Sequence, residues 1–125
     1  MTDYVNPGEQ LVVALYVRDI KESCRFYREF GFEVSRDEGT FMELKWEEAL
    51  LFLVEKEGAP DSGSPPVGNL RVMVSEVDDY WTKAKKMKAE IILPIDDRYY
   101  GLRDFIIAGP GGLALRFATL IQTDR

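Results

Sequence analysis

Val12-Val13-Ala14-Leu15-Tyr16-Val17-Arg18-Asp19-Ile20 and Asn69-Leu70-Arg71-Val72-Met73-Val74-Ser75-Glu76-Val77 carry one pattern twice. In each, apolar residues alternate along a strand that runs straight into an acidic helix start. Sliding the chain against itself by 57 positions lays one stretch on the other. It also keeps both helices in step, so that Gly31-Phe32-Glu33-Val34 falls on Lys88-Ala89-Glu90-Ile91 without a gap. Two copies predict a duplicated module paired about a pseudo-twofold axis, because a solenoid needs three or more repeats to bury a continuous core.

Beyond the first stretch, Asp19 and Glu22 have capping-box spacing, and Ile20, Cys24, Tyr27 and Phe30 recur on one helical face before Gly31 ends the helix. Residues 32–36, 41–46 and 48–55 read as three strands, and residues 1–10 as an irregular arm. In the second copy Ser75 is the expected N-cap, with Val77, Tyr80 or Trp81, Ala84 and Met87 as the apolar stripe. Lys83, Lys85, Lys86 and Lys88 fall mostly on the wet side. Residues 91–93, 104–108 and 113–120 supply the remaining strands, with Gly109-Pro110-Gly111-Gly112 as the last turn. The polar stretch 96–101 reads as a loop beside a ligand site. The expected fold class is α+β: two tandem βαβββ modules forming a cupped mixed sheet, module one at 11–57, a linker at 58–68 rich in Gly, Pro and Ser, and module two at 69–120. Residues 1–125 read as one domain.

Composition narrows the function. With 125 residues, 46% of them apolar, the chain can build a core, and no run approaches the ~20 apolar residues of a membrane span. Met1-Thr2-Asp3-Tyr4 lacks the parts of a secretory signal, so a cytoplasmic location is expected. The single Cys24 reads as a small buried hydrophobe, and with no histidine a Cys/His pair is excluded. The net charge of −6 is lopsided: residues 1–57 hold 7 basic and 13 acidic side chains, the remainder 9 of each. Acidic balance argues against nucleic acid as a partner.

Val17-Arg18-Asp19-Ile20, Phe26-Tyr27 and Gly31-Phe32 in the first half, with Gly101-Leu102-Arg103-Asp104-Phe105 and Gly109-Pro110-Gly111-Gly112 in the second, resemble the vicinal oxygen chelate superfamily of glyoxalases, extradiol dioxygenases and bleomycin-resistance proteins. Gly109 stands where that family commonly has aspartate. The resemblance covers roughly residues 11–120. It implies four metal stations, mostly His and Glu in the family's enzymes, which fall here on Val12, Phe52, Asn69 and Arg116. Val and Phe have no donor, Arg116 repels a cation, and Asn69 alone is a weak oxygen ligand. The resemblance therefore points away from metal catalysis, to no metal, no cofactor and no assigned catalytic residue.

Strand alternation then sets out what the implied cup contains. Val12, Ala14 and Tyr16 face it, with Val13, Leu15 and Val17 toward the helix. On the second-copy strand Asn69, Arg71 and Met73 face it, and on the last strand Ala114 and Arg116, with Leu50 and Phe52 adding apolar surface. Arg71 and Arg116 either pair with a carboxylate such as Glu43, sit wet at the cup mouth, or hold a planar anionic group. The candidate ligand-binding residues are Tyr16, Phe52, Asn69, Arg71, Tyr99, Tyr100, Arg103 and Arg116. The leading expectation is a metal-independent, bleomycin-resistance-like homodimer that binds a small molecule, an antibiotic among the candidates. A second reading is a lyase, isomerase or dioxygenase using Glu43, Glu55 or Tyr16 as base, and a third is an interaction module using its open sheet face.

Overall fold

The first copy folds as β1 (Val13–Val17), α1 (Ile20–Glu29), β2 (Glu33–Asp37), β3 (Phe41–Trp46) and β4 (Ala49–Glu55). The second repeats it as β5 (Gly68–Met73), α2 (Val77–Lys86), β6 (Ile91–Asp97), β7 (Leu102–Ile107) and β8 (Leu113–Leu120). The computed structural model describes residues 7–61 and 64–121, which form two units divided between residues 61 and 62. The fold is α+β, with two tandem βαβββ modules. Each has its own four-stranded mixed sheet, ordered β1-β4-β3-β2 in one and β5-β8-β7-β6 in the other. In both, the first strand pairs in parallel with the last while the remaining pairs are antiparallel.

In module one, α1 lies on one face of its sheet, against β3 and β4. Leu15, Val17, Leu51, Leu53, Met42 and Leu44 turn to that face and meet Ile20, Cys24 and Tyr27 of the helix, all buried. Asp19 caps the helix, its Oδ1 accepting from the Glu22 amide at 3.1 Å, and the Ile20 amide donates to Glu55 Oε2 at 3.1 Å. The helix stops where Gly31 takes φ +114°, a conformation that disfavours any side chain. A Cβ there would stand 3.3 Å from the Trp46 ring.

Module two repeats this plan with α2 against β7 and β8. Both Tyr80 and Trp81 serve the apolar stripe: Tyr80 stacks on Phe117 at 4.6 Å and Trp81 meets Phe105 edge-on at 5.2 Å.

Several boundaries shift by a residue, and a few differ from expectation by more. The α2 N-cap position is Glu76 rather than Ser75, and neither side chain supplies the cap. Instead the Val77 amide donates to Thr119 Oγ1 at 2.9 Å, and that hydroxyl donates to the Val74 carbonyl at 2.9 Å. A neighbouring strand end thus satisfies an orphan amide, as Glu55 does in module one. Strand β6 runs on to Asp97, well past 93, with two register shifts. It is an edge strand, where Pro94, which has no N–H, breaks no ladder bond. Strand β7 begins at Leu102, and the last turn is a short 3-10 segment, Pro110–Gly112. Of the expected arm, Pro7–Glu9 form a 3-10 turn and residues 1–6 lie outside the described residues, as do residues 62 and 63 of the linker.

Candidate functional site

Each module leaves the sheet face opposite its helix without a layer of its own. Which residues lie there in module two follows from Arg103. Its Nε donates to Asp78 Oδ1 on α2 at 2.8 Å and its Nη1 to Asp97 at 3.1 Å, so Arg103 points to the helix side. These bonds hold its guanidinium above the usual arginine range. Its neighbour Asp104 must then point to the open face. Residues level across a ladder share a face, which adds Ile106, Arg116, Ala118 and Arg71 to it, because Arg116 stands level with both Ile106 and Arg71.

Asp104 is the centre of this face. Its side chain is 0% exposed, and it accepts from Arg98 Nε at 2.8 Å, Tyr100 Oη at 2.8 Å, and Arg116 Nε and Nη2 at 2.9 and 2.7 Å. A second Arg98 contact, from Nη2, reaches the Asp104 carbonyl at 3.2 Å, and another the Pro94 carbonyl. Burial by itself raises the Asp104 pKa. The bonds from Arg98, Tyr100 and Arg116 overcome it and hold the carboxyl below its ordinary value. The same bond pushes the Tyr100 hydroxyl and the Arg98 guanidinium up. Two guanidinium groups, 18% and 19% exposed, thus share one buried carboxylate, and Asp96, level with Asp104 on β6, adds a second negative charge that acts on Arg98. Beside them on β5, Arg71 is exposed and forms no ion pair with any described residue.

Several expectations are corrected by this arrangement. Arg116 pairs with a carboxylate, one of its expected roles, but with Asp104 rather than Glu43, because ladder register brings β7 beside β8, and so it is not free to hold a ligand anion by itself. Tyr100 spends its hydroxyl on Asp104, and its ring lies 5.7 Å below the Arg116 guanidinium. Arg103 lies on the opposite face. Asn69 and Arg71 stand exposed on β5 where expected, and Tyr99 is wholly exposed, edge-on to Tyr100 at 5.2 Å. Ala114 is buried and offers no lining.

Tyr16 and Phe52 belong to module one, whose open face is aromatic. Phe52 meets Phe41 edge-on at 5.1 Å, Arg36 lies 5.2 Å over Phe41, and Lys56 Nζ lies 4.7 Å over Tyr16. Of the three expected bases, Glu55 caps α1 and Glu43 accepts from Ser35 Oγ at 2.7 Å, which gives both a structural task. Tyr16 carries only the lysine contact among the described residues. Among the described residues no three of His, Cys, Asp and Glu converge on a point where they would bind a metal ion. The residues missed in the sequence are Asp104 and Arg98. Their signal was available: an aspartate set between Leu102 and Phe105-Ile106-Ile107 must find cationic partners if the strand is buried.

This α+β fold defines a class, proteins built on paired βαβββ modules. The family model described as the Glyoxalase/Bleomycin resistance protein/Dioxygenase superfamily matches residues 10–117, and the chain belongs to that superfamily. Among solved structures it is similar to a glyoxalase/bleomycin resistance protein/dioxygenase from Nocardioides (18% identity, 98% of this chain and 89% of that one, TM-score 0.74). TioX from Micromonospora sp. ML1 matches at 22% identity over 91% and 100% of the two chains, TM-score 0.73. A bleomycin-binding protein complexed with bleomycin matches at 17% identity over 89% and 98%, TM-score 0.69. No curated protein matches the sequence.

Proposed function

We propose that residues 1–125 act as one metal-independent, small-molecule-binding domain of the glyoxalase/bleomycin-resistance type, working as a cytoplasmic homodimer, with an antibiotic as one ligand class. The carrying observation is the guanidinium surface of module two. Arg98 and Arg116 share Asp104, with Asp96 also acting on Arg98, and Arg71, level with Arg116, forms no ion pair with any described residue. A planar carboxylate on an aromatic body matches it, since arginine offers a fork of donors to such a group. Exposed Tyr16, Met73 and Leu120 on the open faces favour a second copy as cover for apolar surface.

The test is calorimetry with 2-naphthoate, its methyl ester and 2-naphthylmethylamine on protein treated with a chelator. Tight binding of the naphthoate, weakened about tenfold by Arg71→Ala with the ester unchanged, supports the reading. Binding of only the amine overturns the anion assignment, and loss of naphthoate binding on chelation, restored by a divalent metal, overturns metal independence. Sedimentation giving a monomer at high micromolar concentration overturns the homodimer.

A further inference from the structure

On the helix side of module one, between α1 and the edge strand β2, lies a groove of about 720 Å³. That is within the range of small-molecule sites. Lys21, Arg25 and Arg28 form its helix wall. Their spacing of four and three residues puts them in one row, about 10 Å long at 1.5 Å per residue. None of the three forms an ion pair with a described residue. The floor is apolar, with Cys24, Phe32, Val34 and Met42, and Asp37, level with Met42, stands on the strand wall, while Glu33 turns its side chain to the other face of the sheet.

Helix stability accounts for this row only in part. Lys21 and Arg25 are like charges four apart, which destabilises a helix, and Lys21 lies in the first turn, where the macrodipole disfavours a cation. Arg28, in the last turn, is placed favourably, and Arg25 has Glu22 three residues before it and Glu29 four after. The overall charge does not explain the row, because residues 1–57 carry the whole acidic excess. A cationic row facing an apolar floor in an otherwise acidic module complements one ligand chemistry, a compact anion attached to an apolar ring. Three cations in reach of one another suit a dianion. The Asp37 carboxylate opposite accepts from a hydroxyl or amino donor on the ring.

We infer that this groove is a second binding site, for a phosphate monoester of an aromatic or heterocyclic small molecule, with the phosphate on Lys21, Arg25 and Arg28 and the ring over Phe32, Val34 and Met42. It is independent of the Arg71 surface and of what binds there. Cys24, the only thiol in the chain, lines the floor and serves as the reporter.

The experiment measures binding of 2-naphthyl phosphate and 2-naphthol by calorimetry, together with the rate at which iodoacetamide alkylates Cys24. The phosphate should bind and the naphthol should not. At ten times its dissociation constant the phosphate should slow alkylation about tenfold, since about one site in ten is then free. Arg25→Gln/Arg28→Gln should weaken the phosphate about tenfold or more, and Lys21→Gln by a smaller factor, with unchanged melting temperatures. Arg71→Ala should leave it unaffected. No binding, alkylation as fast with saturating phosphate as without it, or equal affinity in the double variant would each overturn the inference. Binding lost in Arg71→Ala instead would assign the phosphate to the module-two face.

Discussion

Asp104→Asn keeps the shape of the buried side chain and removes its charge. In the native protein both oxygens of Asp104 face donors: Arg98 on Oδ1, and Tyr100 with two Arg116 nitrogens on Oδ2. An asparagine has one acceptor oxygen and one NH2 group, so whichever way it turns, one set of donors faces another donor. The two guanidinium groups, some four-fifths covered, also lose their counter-charge. Removing one partner of a buried ion pair costs about 3–5 kcal/mol, a large part of the roughly 5–15 kcal/mol that holds a domain folded. Urea unfolding in a Trp46→Phe background leaves Trp81, which packs on Phe105 beside the site, as the sole tryptophan. A loss below about 1 kcal/mol would show that the network is solvated and that its burial has been misread. The pH dependence gives a second check. The folded pKa of Asp104 lies below the ordinary value of about 3.9, so its contribution is complete above that value and declines as pH falls through the folded pKa. The wild type should therefore lose stability below about pH 4 more steeply than Asp104→Asn.

Two further substitutions probe the modules separately. Tyr27 is fully buried, and its hydroxyl has no hydrogen-bond partner among the described residues; Tyr27→Phe should leave stability equal or raise it by about 1 kcal/mol, and a drop of that size in the urea midpoint analysis would reveal a partner for the hydroxyl. Thr119→Val removes the acceptor for the Val77 amide, and should cost about 1–2 kcal/mol and raise hydrogen exchange selectively in the first turn of α2, an effect absent if Glu76 took over as cap.

The Arg103-Asp104 pair shows how far the sequence could be read and where it stopped. Both residues lie in the motif that carries the family resemblance, yet neighbours on a strand point to opposite faces, so they could never serve one site together. Alternation already contained that fact. What it did not contain was the direction, which depended on Asp78 of α2 lying over Arg103. The same limit explains Arg116: its position on the open face was legible from its place between Leu115 and Phe117, while its partner was not. Asp104 precedes it by twelve residues and reaches it only through the β7–β8 register.

The local periodicities thus determined the modules, their helices and most strand positions, because alternation and the three-to-four-residue stripe are properties of a few consecutive residues meeting a single apolar core. They also placed Arg71 on the open face. Tertiary structure alone decided which charges remain free. Pairing between side chains on different strands is settled by register and by reach, and a carboxylate sealed from water takes whichever guanidinium groups the sheet brings beside it. In this chain they are Arg98 and Arg116, and Arg71 on the adjoining strand forms no ion pair with any described residue.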